Sequence, residues 1–180
     1  MVTRRLAECH GWQKLADRPM NVRRNIAAAT IWDAWLPGLT VGCYDDPLAE
    51  ASCVIVRSCR ALSEVEGIEG VLKMHLPFLE DDEILSLPET SSSTSHRALS
   101  VIRLGFGAPL TFDQRFADRI SEATGDINAK IRTAALWAIT YTEWPEFRPL
   151  LSRVAEYDQK RLVKELASQV ISVFDRLGMS

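Results

Sequence analysis

One pattern constrains this chain more than any other: an Asp, four residues, then an aliphatic residue followed by a base. It stands at Asp126 to Ile131-Arg132 and recurs at Asp158 to Val163-Lys164 and at Asp17 to Val22-Arg23. Small and aliphatic residues then follow at helical offsets: Ala134, Ala135, Ala138 and Ile139 in one copy, Leu166, Ala167, Val170 and Ile171 in another, and more loosely Asn25, Ile26, Ala29 and Thr30. Recurrence at a fixed internal spacing is the signature of a stacked repeat, so it outranks composition in choosing a fold. An Asp ahead of such a run can accept from the free N–H groups of a helix start, and small residues let that helix lie close against its neighbours. Each copy therefore reads as the second helix of a two-helix hairpin, with first helices over 4–15, 112–123 and 147–156.

Degenerate copies start at Asp46, with Ala51, Val54, Ile55, Ser58 and Cys59, and near Ser93, with Ala98, Val101, Ile102, Gly105 and Phe106. Only the gap between these two is long. It holds Glu80-Asp81-Asp82-Glu83 and a Ser-rich run, so 81–95 is expected to be a flexible acidic and Ser-rich insertion in a single domain spanning 1–180. Helical periodicity is clearest at the C-terminus, where Leu162, Val163, Leu166, Val170, Ile171, Val173, Phe174 and Leu177 mark one face. The run Ser52-Cys53-Val54-Ile55-Val56 tolerates a strand, but the apolar spacing over 49–62 suits a helix better. The expected fold is all-α, a right-handed α-solenoid of about five two-helix repeats.

These residues resemble the HEAT-repeat proteins, in particular short HEAT-like repeats whose second helix carries an Asp, four residues, Val-Arg and then small residues. The resemblance is strong over 110–178, fair over 1–39 and weak between them. The families that share this fold include scaffolds, chaperone-like adaptors, phycobilin lyase subunits, alkylpurine DNA glycosylases and bacterial toxin-neutralising immunity proteins. The fold alone selects none of them.

Chemical motifs narrow the choice by their scarcity. Four cysteines (Cys9, Cys43, Cys53, Cys59) and three histidines (His10, His75, His96) are too scattered for the paired spacing of zinc ligands, and the thiols are expected to be reduced. No phosphate-binding glycine loop, nucleophile elbow or H-E-x-x-H occurs, so no metal or cofactor is expected. Asp33 beside Trp32 imitates part of a repeat glycosylase site, but no basic groove accompanies it. Cys9-His10 is a poor nucleophile pair, since adjacent residues of a helix point about 100° apart. No window holds the ~18 uncharged apolar residues of a membrane span. Glu8 falls where a secretory signal would need its apolar stretch, so a cytoplasmic protein is expected.

In a repeat stack the informative positions lie off the core stripe. In the Asp126 copy these include Trp137, Tyr141 and Trp144, and the same register in the Asp17 copy gives Trp32 and Trp35. Either a terminal segment, the 81–95 stretch or a homodimer partner covers these rings, or they form an aromatic patch on the concave face, where Trp and Tyr anchor protein interfaces. Charge is uneven as well: residues 41–90 carry eleven acids against three bases, while both flanks are basic. An acidic centre repels phosphate and disfavours nucleic acid, whereas a basic protein would be steered in, with Asp81, Asp82 and Glu83 as its contacts. The expected function is thus non-catalytic: a small inhibitor or immunity protein that neutralises a basic toxin, such as a nuclease, by stoichiometric binding. A scaffold or adaptor subunit and a glycosylase-type enzyme are the alternatives.

Overall fold

Leu39, Val41 and Cys43 alternate with Thr40, Gly42 and Tyr44, and a period of two around β-branched residues favours a pleated strand. In the computed structural model, which describes residues 2–21, 27–91 and 93–178, that strand is the third of four. The chain divides into two compact units, 1–79 and 80–180, where one domain over 1–180 is expected.

The first unit runs α1 (Val2–Cys9), β1 (Gln13–Arg18), β2 (Ala28–Asp33), β3 (Leu39–Asp46), β4 (Ala51–Ser58) and α2 (Leu62–His75). Its sheet is an antiparallel meander in sequence order, with Trp32 opposite Val41 and Val41 opposite Val56. These side chains share one face. Leu6 and Ala7 of α1 and Ile68 and Leu72 of α2 join Trp32, Leu39 and Val41 there in a single core. The all-α solenoid of about five HEAT-like repeats is corrected by this sheet. Asp17 caps no helix: it lies in β1, where it accepts from Lys14 Nζ at 2.9 Å and Thr30 Oγ1 at 3.3 Å. Asp46 ends β3 and holds the next turn by accepting from the N–H groups of Leu48 and Ala49, both at 2.8 Å. The Val22, Arg23, Asn25 and Ile26 positions of the first copy lie outside the described residues.

The second unit is helical among its described residues: α3 (Asp81–Ser86), α4 (Thr94–Phe106), α5 (Gln114–Thr124), α6 (Ala129–Thr142), a 3-10 turn (Pro145–Phe147), α7 (Arg148–Tyr157) and α8 (Arg161–Leu177). The stretch 81–95, expected as an insertion, holds α3 and the start of α4. α6 packs on α4, α5 and α8, and α7 pairs with α8. Ala134, Ala135, Ala138 and Ile139 are buried on α6, as are Ala167 and Val170 on α8. α4 and α6 lie so close that a Cβ on Gly105 would fall onto the Ala138 backbone. Only glycine permits this spacing.

The repeated Asp works differently from a simple cap. Asp126 accepts from the Asn128 N–H at 2.7 Å, and Asn128 is the N-cap of α6, accepting from the Lys130 N–H at 3.0 Å. Asp158 likewise accepts from the Lys160 N–H at 2.7 Å. Each Asp also receives a base from the preceding helical pair. Arg132 clamps Asp158 through Nε at 2.7 Å and Nη2 at 2.8 Å, and Arg97 reaches Asp126 at 2.8 Å. The motif is therefore a chain of hydrogen bonds from one helical pair to the next.

Candidate functional site

The β2–β3 connection is Ala34-Trp35-Leu36-Pro37-Gly38, and its geometry follows from the turn residues. Proline and glycine punctuate the chain between two runs of strand residues, and Gly38 adopts φ +87°, a region open to glycine. A Cβ on Gly38 would also meet Cys59 Sγ. The loop closes with the Ala34 N–H donating to Leu39 O at 2.8 Å and the Leu39 N–H to Leu36 O at 3.0 Å.

This tip carries Trp35 at φ +54°, in a left-handed conformation that a bulky side chain rarely adopts. Holding it costs about 1–3 kcal/mol, so the surrounding fold must over-determine it. Two rings do so: Trp12 stands edge-on to Trp35 at 5.8 Å between centroids, and His10 edge-on at 5.4 Å, while His10 and Trp12 stack on each other at 5.9 Å. Trp12 is buried, with its indole N–H lacking an acceptor among the described residues. Trp35 is 51% exposed and Leu36 40%. An aromatic ring is thus fixed in place from behind and open in front, which is the geometry of an interface anchor.

The other expected site residues are distributed as follows. Trp32 is buried in the sheet core instead of lying on a helix face, and Trp144 is buried in the second unit between Phe112 and Phe147. Trp137 and Tyr141 are half-buried on α6, with Tyr141 edge-on to Phe106 at 5.3 Å. Trp32 and Trp35 lie in the first unit and Trp137, Tyr141 and Trp144 in the second, so the five rings do not form the single helical register expected of them. Asp81, Asp82 and Glu83 are exposed on α3, yet they are engaged locally. Arg115 reaches Asp81 at 2.9 Å and Asp82 at 3.5 Å, and Glu83 accepts the Glu80 N–H at 2.9 Å, closing the start of α3.

Beside α3 lies a cleft of about 320 Å³ lined by Leu85, Glu89, Arg97, Val101, Arg119 and Glu122. Each base is already engaged: Arg119 with Glu89 and Glu122, Arg97 with Asp126. Neither arginine stands without an acid beside it. No group of three metal-binding side chains occurs among the described residues, and all four cysteines are free. Burial is the main cause pushing the Cys53 thiol up to about 11, helped by Cys43, Asp46 and Asp45, so it is a poor nucleophile at neutral pH. No described helix is long and apolar enough to cross a membrane.

Sequence reasoning reaches Trp35 but not His10, Trp12 or Leu36 beside it. The available signal was Pro37-Gly38, a turn dipeptide between two runs of alternating apolar residues. Comparison of the chain with protein-family models, with curated proteins and with solved structures finds no match.

Proposed function

We propose that this protein is a non-catalytic binding module that captures a protein partner stoichiometrically through the Trp35–Leu36 tip. The observation that carries the reading is the exposed, strained Trp35 ring seated on His10 and Trp12. Natural surfaces spend strain where it orders a contact, and Trp is the residue most enriched among interface anchors. The unit that carries the tip holds nine acids against nine bases, so the immunity-type form of the reading, an inhibitor of a basic toxin, rests on the acidic stretch 41–90 and not on the charge of the tip's own unit.

A photo-crosslinking residue placed at Leu36 in the source cell should capture one protein, and native mass spectrometry of the isolated pair should give a 1:1 complex. Trp35→Ala should then speed dissociation about 30-fold, from the ~2 kcal/mol typical of an aromatic anchor, with little change in Tm. A complex that dissociates at the same rate with and without the Trp35 ring would refute the assignment. So would a large loss of stability in Trp35→Ala, which would make the ring a structural prop.

A further inference from the structure

The sheet of the first unit has two outer edges, and they are built differently. β1 is exposed along its whole length, its register with β2 slips between Lys14 and Ala16, and it carries Lys14, Asp17 and Arg18. A bulge and charged side chains are the usual devices that keep an edge from pairing with another chain. β4 has neither over its central stretch. Its register with β3 runs without a slip from Ala51 to Ser58, and Cys53-Val54-Ile55-Val56 is uncharged, apolar and half-buried.

The phase of the ladder shows which backbone groups this edge leaves unused. Cys59 donates its N–H to Gly38 O at 3.2 Å, and these residues continue the β3–β4 register, so they form a hydrogen-bonded pair. Bonded and non-bonded pairs alternate along an antiparallel ladder, which turns the N–H and C=O groups of Ser52, Val54, Val56 and Ser58 outward. Among the described residues no strand pairs with that side of β4.

We propose that this edge pairs antiparallel with β4 of a second copy of the chain, joining two four-stranded sheets into one across a twofold axis. The outward groups sit on alternate residues, so an axis through Ile55 sets Val54 against Val56 and Ser52 against Ser58 of the second copy. Ile55 then meets its own equivalent in a non-hydrogen-bonded pair, where side chains approach most closely. Charge selects the direction. β4 begins beside Asp45, Asp46 and Glu50 and ends at Arg57, beyond which Arg60 is paired with Glu64 at 3.5 Å, so antiparallel pairing sets each acidic start against the other copy's Arg57. Arg57 has no ion-pair partner among the described residues. A surface complementary to itself about a twofold axis selects a second copy over a foreign strand.

Light scattering and sedimentation of the full chain over a range of concentrations test this. The expected result is a dimer. Ile55→Lys sets two like charges together on the axis and should weaken dimerisation about fivefold, while its far-UV circular dichroism matches the wild type. Ile55→Cys places two thiols within disulfide reach across the axis, and mild oxidation should give a covalent dimer whose linked peptide maps to the introduced thiol. If Ile55→Lys fails to fold, the linkage in Ile55→Cys decides. A wild type that stays monomeric at every concentration, a dimer that Ile55→Lys leaves intact, or an oxidised dimer linked elsewhere would each overturn the proposal.

Discussion

Removing Asp158 should expose how much the second unit depends on the bonds between its helical pairs. The Arg132 and Asp158 side chains are 11% and 5% exposed, and the guanidinium grips both carboxylate oxygens, at 2.7 and 2.8 Å. In Asp158→Ala the charge of Arg132 stays buried with its partner gone, and the Lys160 N–H loses its acceptor. Breaking one side of a buried pair costs about 3–5 kcal/mol. The lower end applies, because Arg132 Nη1 keeps its bond to Asp126 O at 2.9 Å. For a unit of this size each kcal/mol lowers Tm by about 4–8 °C, so the second unit should melt roughly 12–24 °C early by circular dichroism. The Arg132 guanidinium, followed by the Lys160 N–H, holds the Asp158 carboxyl below the usual carboxylate range, so the native state binds fewer protons than the unfolded chain. That stability is complete above the ordinary Asp value near 4 and drains away as pH falls through the lowered folded value. The Tm gap between wild type and Asp158→Ala should accordingly narrow as the solution is acidified below about pH 4. An unchanged Tm at neutral pH, or a gap that widens in acid, would refute the account of the pair.

Gly105→Ala should destabilise the second unit although alanine is the better helix former by about 1 kcal/mol. The new methyl would stand 2.6 Å from the Ala138 carbonyl carbon, where neither helix backbone can yield cheaply, so urea unfolding should show a net loss of about 1–3 kcal/mol. In the first unit, alkylation followed by peptide mapping should label the exposed Cys9 and Cys59 before Cys53, whose rate should climb only as pH approaches its raised value of about 11. Cys53 reacting as fast as Cys9 at neutral pH would show that its thiol is not shielded as described.

The helices of the second unit were legible in the sequence because propensity, caps and periodicity coincide there. Ser93, Asp113 and Asn128 each sit at a helix start and accept a backbone N–H within the first turn. The sheet was not, since a short apolar run such as Cys53 to Val56 satisfies either period and only its β-branched content favours a strand. The Asp17 copy then lent the helical reading a false third vote. Its letters match, but the motif's physical content lies between copies: Arg132 needs Asp158 to receive it, and the residue at the same offset from Arg23 is Ala49, which can accept nothing through its side chain. The same error in period explains the candidate site. Trp32 and Trp35 lie three residues apart, which puts them on one face of a helix but not on one face of a strand entering a turn. With the chain extended, Trp32 points into the core and Trp35, past the end of β2, swings outward in its left-handed conformation. Pairing them as equals in one patch follows only from the wrong period. The right one separates a ring buried in the sheet core from a ring half exposed at the loop tip.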